Sequence, residues 1–170
     1  MWFSRRLFAV FALFGAVAMP AAFPAAPAIG ERFPDLSDYG LDGELPDISS
    51  ARVVIVDFWA SWCAPCKASF PVFDELHDRY ADRGLAIVGV SIDRNEKAMR
   101  AFLERAQPRF AVVWDRDQAF VRAMNIPGMP TSYVIDGSGR LRYVHEGFHG
   151  QKSRKRYIEE IERLLKEVEG

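Results

Sequence analysis

Residues 53–67 (Val53-Val54-Ile55-Val56-Asp57-Phe58-Trp59-Ala60-Ser61-Trp62-Cys63-Ala64-Pro65-Cys66-Lys67) constrain the fold more than any other stretch of the chain. A β-branched apolar run predicts a buried strand over 53–59. Beyond it, Phe70, Phe73, Leu76 and Tyr80 recur at helical spacing and predict a helix over 64–82 with Pro71 inside it. The chain's only two cysteines therefore fall where strand turns into helix, Cys63 at the corner and Cys66 within the first turn. Unpaired N–H groups and the helix dipole favour a thiolate at that corner. Two thiols so spaced close a small ring with little backbone movement, which reads as a redox switch. Cys63 is then the attacker, its pKa lowered from ~8.5 into the ~3.5–7.5 range of such motifs. Cys66 is the resolving thiol, and Pro65 keeps the turn rigid. Two buried structural thiols or half a metal site are the alternatives.

A chain of 170 residues with a net charge of −1 suits one mixed domain and argues against a general affinity for nucleic acid. Two cysteines exclude both a stapled scaffold and a four-cysteine zinc site. The first 28 residues read as a signal peptide or membrane anchor, with Arg5 and Arg6 before an apolar run and small residues and prolines after it. That run is short for a spanning helix, which needs ~20 apolar residues. Residues 29–170 form the folded domain, exported to the periplasm or tethered at its membrane, and it is expected to be a monomer.

Within the domain, residues 29–52 suggest short strands or a hairpin, and 85–92 is the next buried strand. A helix capped by Asn95 or Asp93 ends before Pro108, then come strand 110–114 and a short helix marked by Phe120, Val121 and Met124. The turn Asp136-Gly137-Ser138-Gly139 joins strands 133–135 and 140–146 in a hairpin, and a helix over 152–168 closes the chain. The class is α/β, a central mixed sheet flanked by helices.

Asp57 interrupts the apolar strand. A lone carboxylate there is costly unless partnered or protonated. Either it faces solvent by alternation, or it lies beneath Cys66 and takes that thiol's proton with a raised pKa. Pro130, after Gly128-Met129 and before a strand, sets up a tight cis turn, with an ordinary trans loop as the alternative. A cis turn beside the cysteines would leave the Met129 backbone to pair with an extended substrate segment. Trp59 and Trp62 read as half core, half rim of such a groove, and Trp114 as core. His77 reads as an exposed helix residue. His145 and His149, which flank Gly147, are candidates for a minor ligand or proton-transfer role. The run Lys152-Arg154-Lys155-Arg156 reads as a solvated face.

Together, residues 57–67, Pro71, Gly128-Met129-Pro130-Thr131 and Gly147 resemble the thioredoxin superfamily. The extra helix and strand over about 95–114, the N-terminal strands and the export signal resemble the extracytoplasmic TlpA/ResA/CcmG-like thiol-disulfide oxidoreductases. The resemblance implies a thioredoxin-like fold and catalytic roles for Cys63, Cys66, Asp57 and Pro130. It also implies a substrate groove bordered by Trp62, Pro65, Met129, Thr131 and Gly147, with no cofactor and no metal. Its partners would be disulfide-containing proteins, with apocytochrome c or copper-site thiols among the substrates, and an inner-membrane electron donor of the DsbD or CcdA type. Ser69 stands where several cytochrome-maturation members carry an acidic residue, and Gly89 where thioredoxins place a lysine facing the buried aspartate. A Cu(I) metallochaperone of the same fold and a disulfide oxidase or isomerase are the alternative functions. A thiol peroxidase is disfavoured, because no Thr-x-x-Cys loop precedes Cys63.

Overall fold

The structure is a computed structural model that describes residues 26–169. The expected signal or anchor, apart from residues 26–28, lies outside the described residues. Among the described residues no helix is long and apolar enough to cross a membrane.

The elements follow in the order β1 (Val53–Trp59), α1 (Ala64–Tyr80), β2 (Leu85–Ser91), α2 (Glu96–Ala106), β3 (Ala111–Trp114), α3 (Ala119–Met124), β4 (Thr131–Asp136), β5 (Leu141–Glu146) and α4 (Gln151–Glu169). They build one five-stranded mixed sheet in the order β3-β2-β1-β4-β5. β1 runs parallel to β2 and antiparallel to β4, and β2 runs parallel to β3. Every residue of β1 is buried, as expected of a central strand covered on both faces. Alternation divides its side chains between two cores. Val53, Ile55 and Trp59 join the core that includes Phe70, Phe73, Tyr157 and both cysteines. Val54, Val56 and Phe58 join the core on the opposite face with Phe120, Tyr133 and Phe33.

The inserted helix and strand are present as α2 and β3. Asn95, not Asp93, caps α2, its side chain accepting from the Ala98 N–H at 3.1 Å. Phe102 of α2 stacks on Phe70 and Trp59, with ring centroids 4.9 and 5.2 Å apart, so the insertion packs directly behind the active-site helix. α1 ends at Tyr80, two residues sooner than its periodicity suggests, and a 3-10 turn over Ala81–Arg83 leads to Gly84 in the left-handed region at φ 99°.

Residues 29–52 depart from expectation. Instead of paired strands they form a 3-10 turn over Leu36–Tyr39 and two isolated bridges, Arg32 with Arg140 and Asp42 with Trp114. Pro34 and Pro46 lack backbone donors, and the Asp35 side chain captures the Ser37 N–H at 2.9 Å, so local turns replace a ladder. Single backbone hydrogen bonds to the β4–β5 hairpin and to β3, among them Phe33 N–H to Gly139 at 2.9 Å and Trp114 N–H to Asp42 at 2.7 Å, hold this arm together with side chains: Phe33 and Tyr39 pack on Phe120 at 6.2 and 4.5 Å.

Candidate active site

β1 delivers the chain to the site through the turn Ala60-Ser61-Trp62. The Cys63 N–H donates to the Ala60 carbonyl at 3.0 Å, closing that turn. Asp93, 1% exposed, holds it from the far side. Its carboxylate accepts from the Ser61 N–H at 2.8 Å, the Ser61 hydroxyl at 2.7 Å and the Ser91 hydroxyl at 3.0 Å. The Trp114 indole N–H donates to the Asp93 carbonyl at 2.7 Å, which fixes the backbone behind the carboxylate. Asp93 thus works on the turn before the cysteines rather than as a helix cap. Sequence reasoning missed this role, because the contact spans 32 positions.

Cys63 is the N-cap of α1, Pro65 sits in the first turn, and Cys63 and Cys66 are joined in a disulfide with their Cα atoms 5.3 Å apart. The Cys66 N–H points at Cys63 Sγ from 3.2 Å. Cys63 keeps 5% of its surface exposed and Cys66 none, so the sulfur at the corner is the one a partner reaches first. Trp62, 66% exposed, stands beside it as rim, whereas Trp59 is fully buried. The half-core, half-rim expectation therefore splits: Trp59 is core and Trp62 is surface. Ser69 is buried and its hydroxyl donates to the Cys66 carbonyl at 2.7 Å, which ties down the first turn of α1.

The Met129–Pro130 peptide is cis. β4 starts opposite the end of β1, with Thr131 paired to Phe58, so the proline turn lies at the same end of the sheet as the 60–63 turn. Met129 packs against the core that contains both cysteines. The Thr131 hydroxyl donates to the Gly128 carbonyl at 2.8 Å, and the Gly147 N–H donates to the Pro130 carbonyl at 2.8 Å. Thr131 and Gly147 therefore brace the turn. Gly147, at φ 73°, holds a backbone shape that other residues rarely adopt.

Asp57 does not face solvent. It is 1% exposed and, by alternation with Ile55 and Trp59, points to the cysteine-bearing face. Burial pushes its pKa up to about 7, and a hydrogen bond from the Ser132 hydroxyl pulls the other way. Ser132 donates to Asp57 Oδ1 at 2.5 Å and lies 2.8 Å from the Tyr157 hydroxyl. Neither Ser132 nor the Tyr157 hydroxyl was singled out in the sequence. Tyr157 was visible only as one apolar position of a helix, and the lone serine of a buried strand was the available signal. Gly89 pairs with Asp57 on the other side. A Cβ there would lie 3.2 Å from Phe110 and 3.3 Å from Trp59, so any side chain at this position would press on those rings.

His145 is buried, with Nε2 2.6 Å from Glu160 Oε2 and its ring 4.5 Å from Tyr157. His149 is exposed, and its backbone N–H donates to the Ser153 hydroxyl at 2.9 Å. His77 is half-buried rather than exposed. Arg154 pairs with Glu75 of α1, so the basic run is solvated only in part.

Sheet order and strand directions are those of a thioredoxin fold, and the joined cysteines at its strand-to-helix corner make this a protein of thiol–disulfide exchange. The Redoxin family pattern matches residues 28–161, and the chain belongs to that family. It is 30% identical over 138 residues to the thiol-disulfide oxidoreductase ResA of Geobacillus kaustophilus, covering 80% of this chain and 79% of that protein. It is 31% identical over 135 residues to the thioredoxin-like protein YneN of Bacillus subtilis, covering 76% of this chain and 78% of that protein. A crystal structure of a Chlorobium tepidum protein assigned as the thiol:disulfide interchange protein DsbE matches with a TM-score of 0.74 at 31% identity, over 81% of this chain and 98% of that one. These relatives place the chain among the thiol-disulfide oxidoreductases and bear out its ResA/CcmG-like resemblance.

Proposed function

We propose that this protein reduces disulfides of other proteins in the periplasm, drawing electrons from an inner-membrane donor of the DsbD or CcdA type. The observation that carries the reading is the disulfide-joined Cys63–Cys66 pair at the start of α1, Cys63 slightly exposed and Cys66 fully buried. In the reduced protein the Cys63 thiolate, favoured by the helix N-terminus and the Cys66 N–H, attacks a substrate disulfide. One substrate sulfur leaves as a thiolate and a mixed disulfide forms. Cys66 then gives its proton to the Asp57 carboxylate and attacks Cys63 Sγ. The Cys63–substrate bond breaks, the second substrate sulfur departs with a proton, and two electrons have passed to the substrate. A donor dithiol reverses the sequence to restore the reduced pair.

Met129 and the turn at Pro130 border an extended substrate segment, with Trp62 and Pro65 on the opposite rim. Substrates of the cytochrome c or copper-site kind fit this chemistry, although Ser69 supplies no charge for recognising them. The oxidase reading uses the same residues in the opposite direction, so potential decides between them, with ~30 mV worth about 1.4 kcal/mol for two electrons. Equilibration of the whole protein with glutathione buffers measures it. A potential well below that of glutathione is expected, and one well above it would make the protein an oxidant.

A further inference from the structure

The polar groups around Asp57 form a row that crosses the sheet. Asp57 on β1 pairs in register with Ser132 on β4, and Ser132 pairs with His145 on β5. Tyr157, projecting from α4, closes the row from above. Since the Ser132 hydroxyl hydrogen is committed to Asp57 Oδ1, the Tyr157 hydroxyl is the donor in the 2.8 Å contact between the two hydroxyls. Burial foremost, and then the Asp57 charge, raises the Tyr157 pKa well above that of an ordinary phenol, so it remains a donor. Both hydroxyls can also turn the other way. A protonated Asp57 donates to Ser132, which then donates to the Tyr157 oxygen. The two arrangements use the same oxygen–oxygen contacts and match the two protonation states of the carboxyl group, the second turning the Tyr157 hydrogen away from Ser132.

Resting on the role proposed above for Asp57, we propose that Ser132 and Tyr157 are positioning residues: a reversible hydroxyl pair that sets when Asp57 can accept the Cys66 proton. Gly89, paired with Asp57 on the other side, brings no side chain to it, so the Ser132 hydroxyl is the hydrogen-bond partner of the carboxyl group. The other titratable or charged groups nearby are the cysteines from α1, His145 from β5, and Arg156 and Glu160 from α4. His145 is engaged by Glu160 and reaches the network only by ring contact with Tyr157.

The test uses the full-length reduced protein and Ellman's disulfide reagent. The first nitrothiobenzoate released reports Cys63 attack, and the second reports resolution by Cys66. In the wild type, the rate of the second release should break near the Asp57 pKa of about 7. Ser132→Ala should move that break upward by about one pH unit, the scale of a hydrogen bond to a charged group. Tyr157→Phe should move it less in the same direction, and Ser132→Thr, which restores the hydroxyl, should return it. Titration of the Asp57 carboxyl carbon by NMR in the oxidised protein should show the same shifts independently of turnover. A break and an NMR midpoint unmoved by Ser132→Ala, with the break lost in Asp57→Asn, would overturn this inference alone. A break that persists in Asp57→Asn would overturn the role of Asp57 and this inference together.

Discussion

Asp57 shows how one buried carboxyl group makes the stability of a fold depend on pH. Its carboxyl group has a folded pKa of about 7 against an ordinary value of 3.8, raised by desolvation and only partly offset by Ser132. Between those values the folded state holds a proton that the unfolded state has released. Stability therefore falls as pH rises through that window and levels off above about 7. Asp57→Asn removes the linkage. The variant should gain on the wild type by about 1.4 kcal/mol for each pH unit across the window, measured by denaturant unfolding of both oxidised proteins. A constant difference between them from acid to neutral pH would contradict the raised pKa.

The working element is the corner between β1 and α1, and its shape is held from a distance. Asp93 satisfies both donors of Ser61, and the Cys63 N–H closes the same turn on Ala60. Asp93→Ala leaves three donors without their acceptor inside the protein. It should cost about 2–4 kcal/mol in stability, a range set by the loss of more than one hydrogen bond to a charged group. Asp93→Asn keeps one acceptor oxygen and should recover part of that loss. The attack of Cys63 on a small disulfide should slow in Asp93→Ala, because the sulfur is no longer presented by a fixed turn. Stopped-flow release of nitrothiobenzoate, read beside urea denaturation, measures both. Helix α1 itself needed no such help to be foreseen, since its spacing of Phe70, Phe73, Leu76 and Tyr80 is all that a buried helical face requires.

At the scale of the whole molecule, the sheet separates two cores with different duties. One encloses the cysteines, Asp57 and the aromatic contacts of α2. The other ties the N-terminal arm to the sheet through Phe120, whose ring lies 5.0 Å from Phe58 and 4.5 Å from Tyr39. Two isolated bridges and their backbone hydrogen bonds tie the same arm to β5 and β3. Phe120→Ala should destabilise the protein by about 3–5 kcal/mol, as large aromatic truncations in cores do. It should also expose residues 29–48 to limited proteolysis before the remainder of the domain. Equal protection of the arm in variant and wild type would show that the bridges suffice.

Periodicity and spacing predicted the strand-to-helix corner, the α/β class, a helix and strand over about 95–114, and two cysteines placed closely enough to join. Each of those rests on contacts between near neighbours in the chain, or on a repeat that local geometry imposes. The thioredoxin-like fold and the reading of that helix and strand as an insertion came from the resemblance. The N-terminal arm was misread as strands because its backbone donors are diverted into turns that composition does not specify. Ser132, the Tyr157 hydroxyl and the grip of Asp93 on Ser61 became visible only in the folded molecule. They bring together groups 75, 25 and 32 positions apart, and whether a polar side chain is partnered or exposed depends on which strands lie side by side.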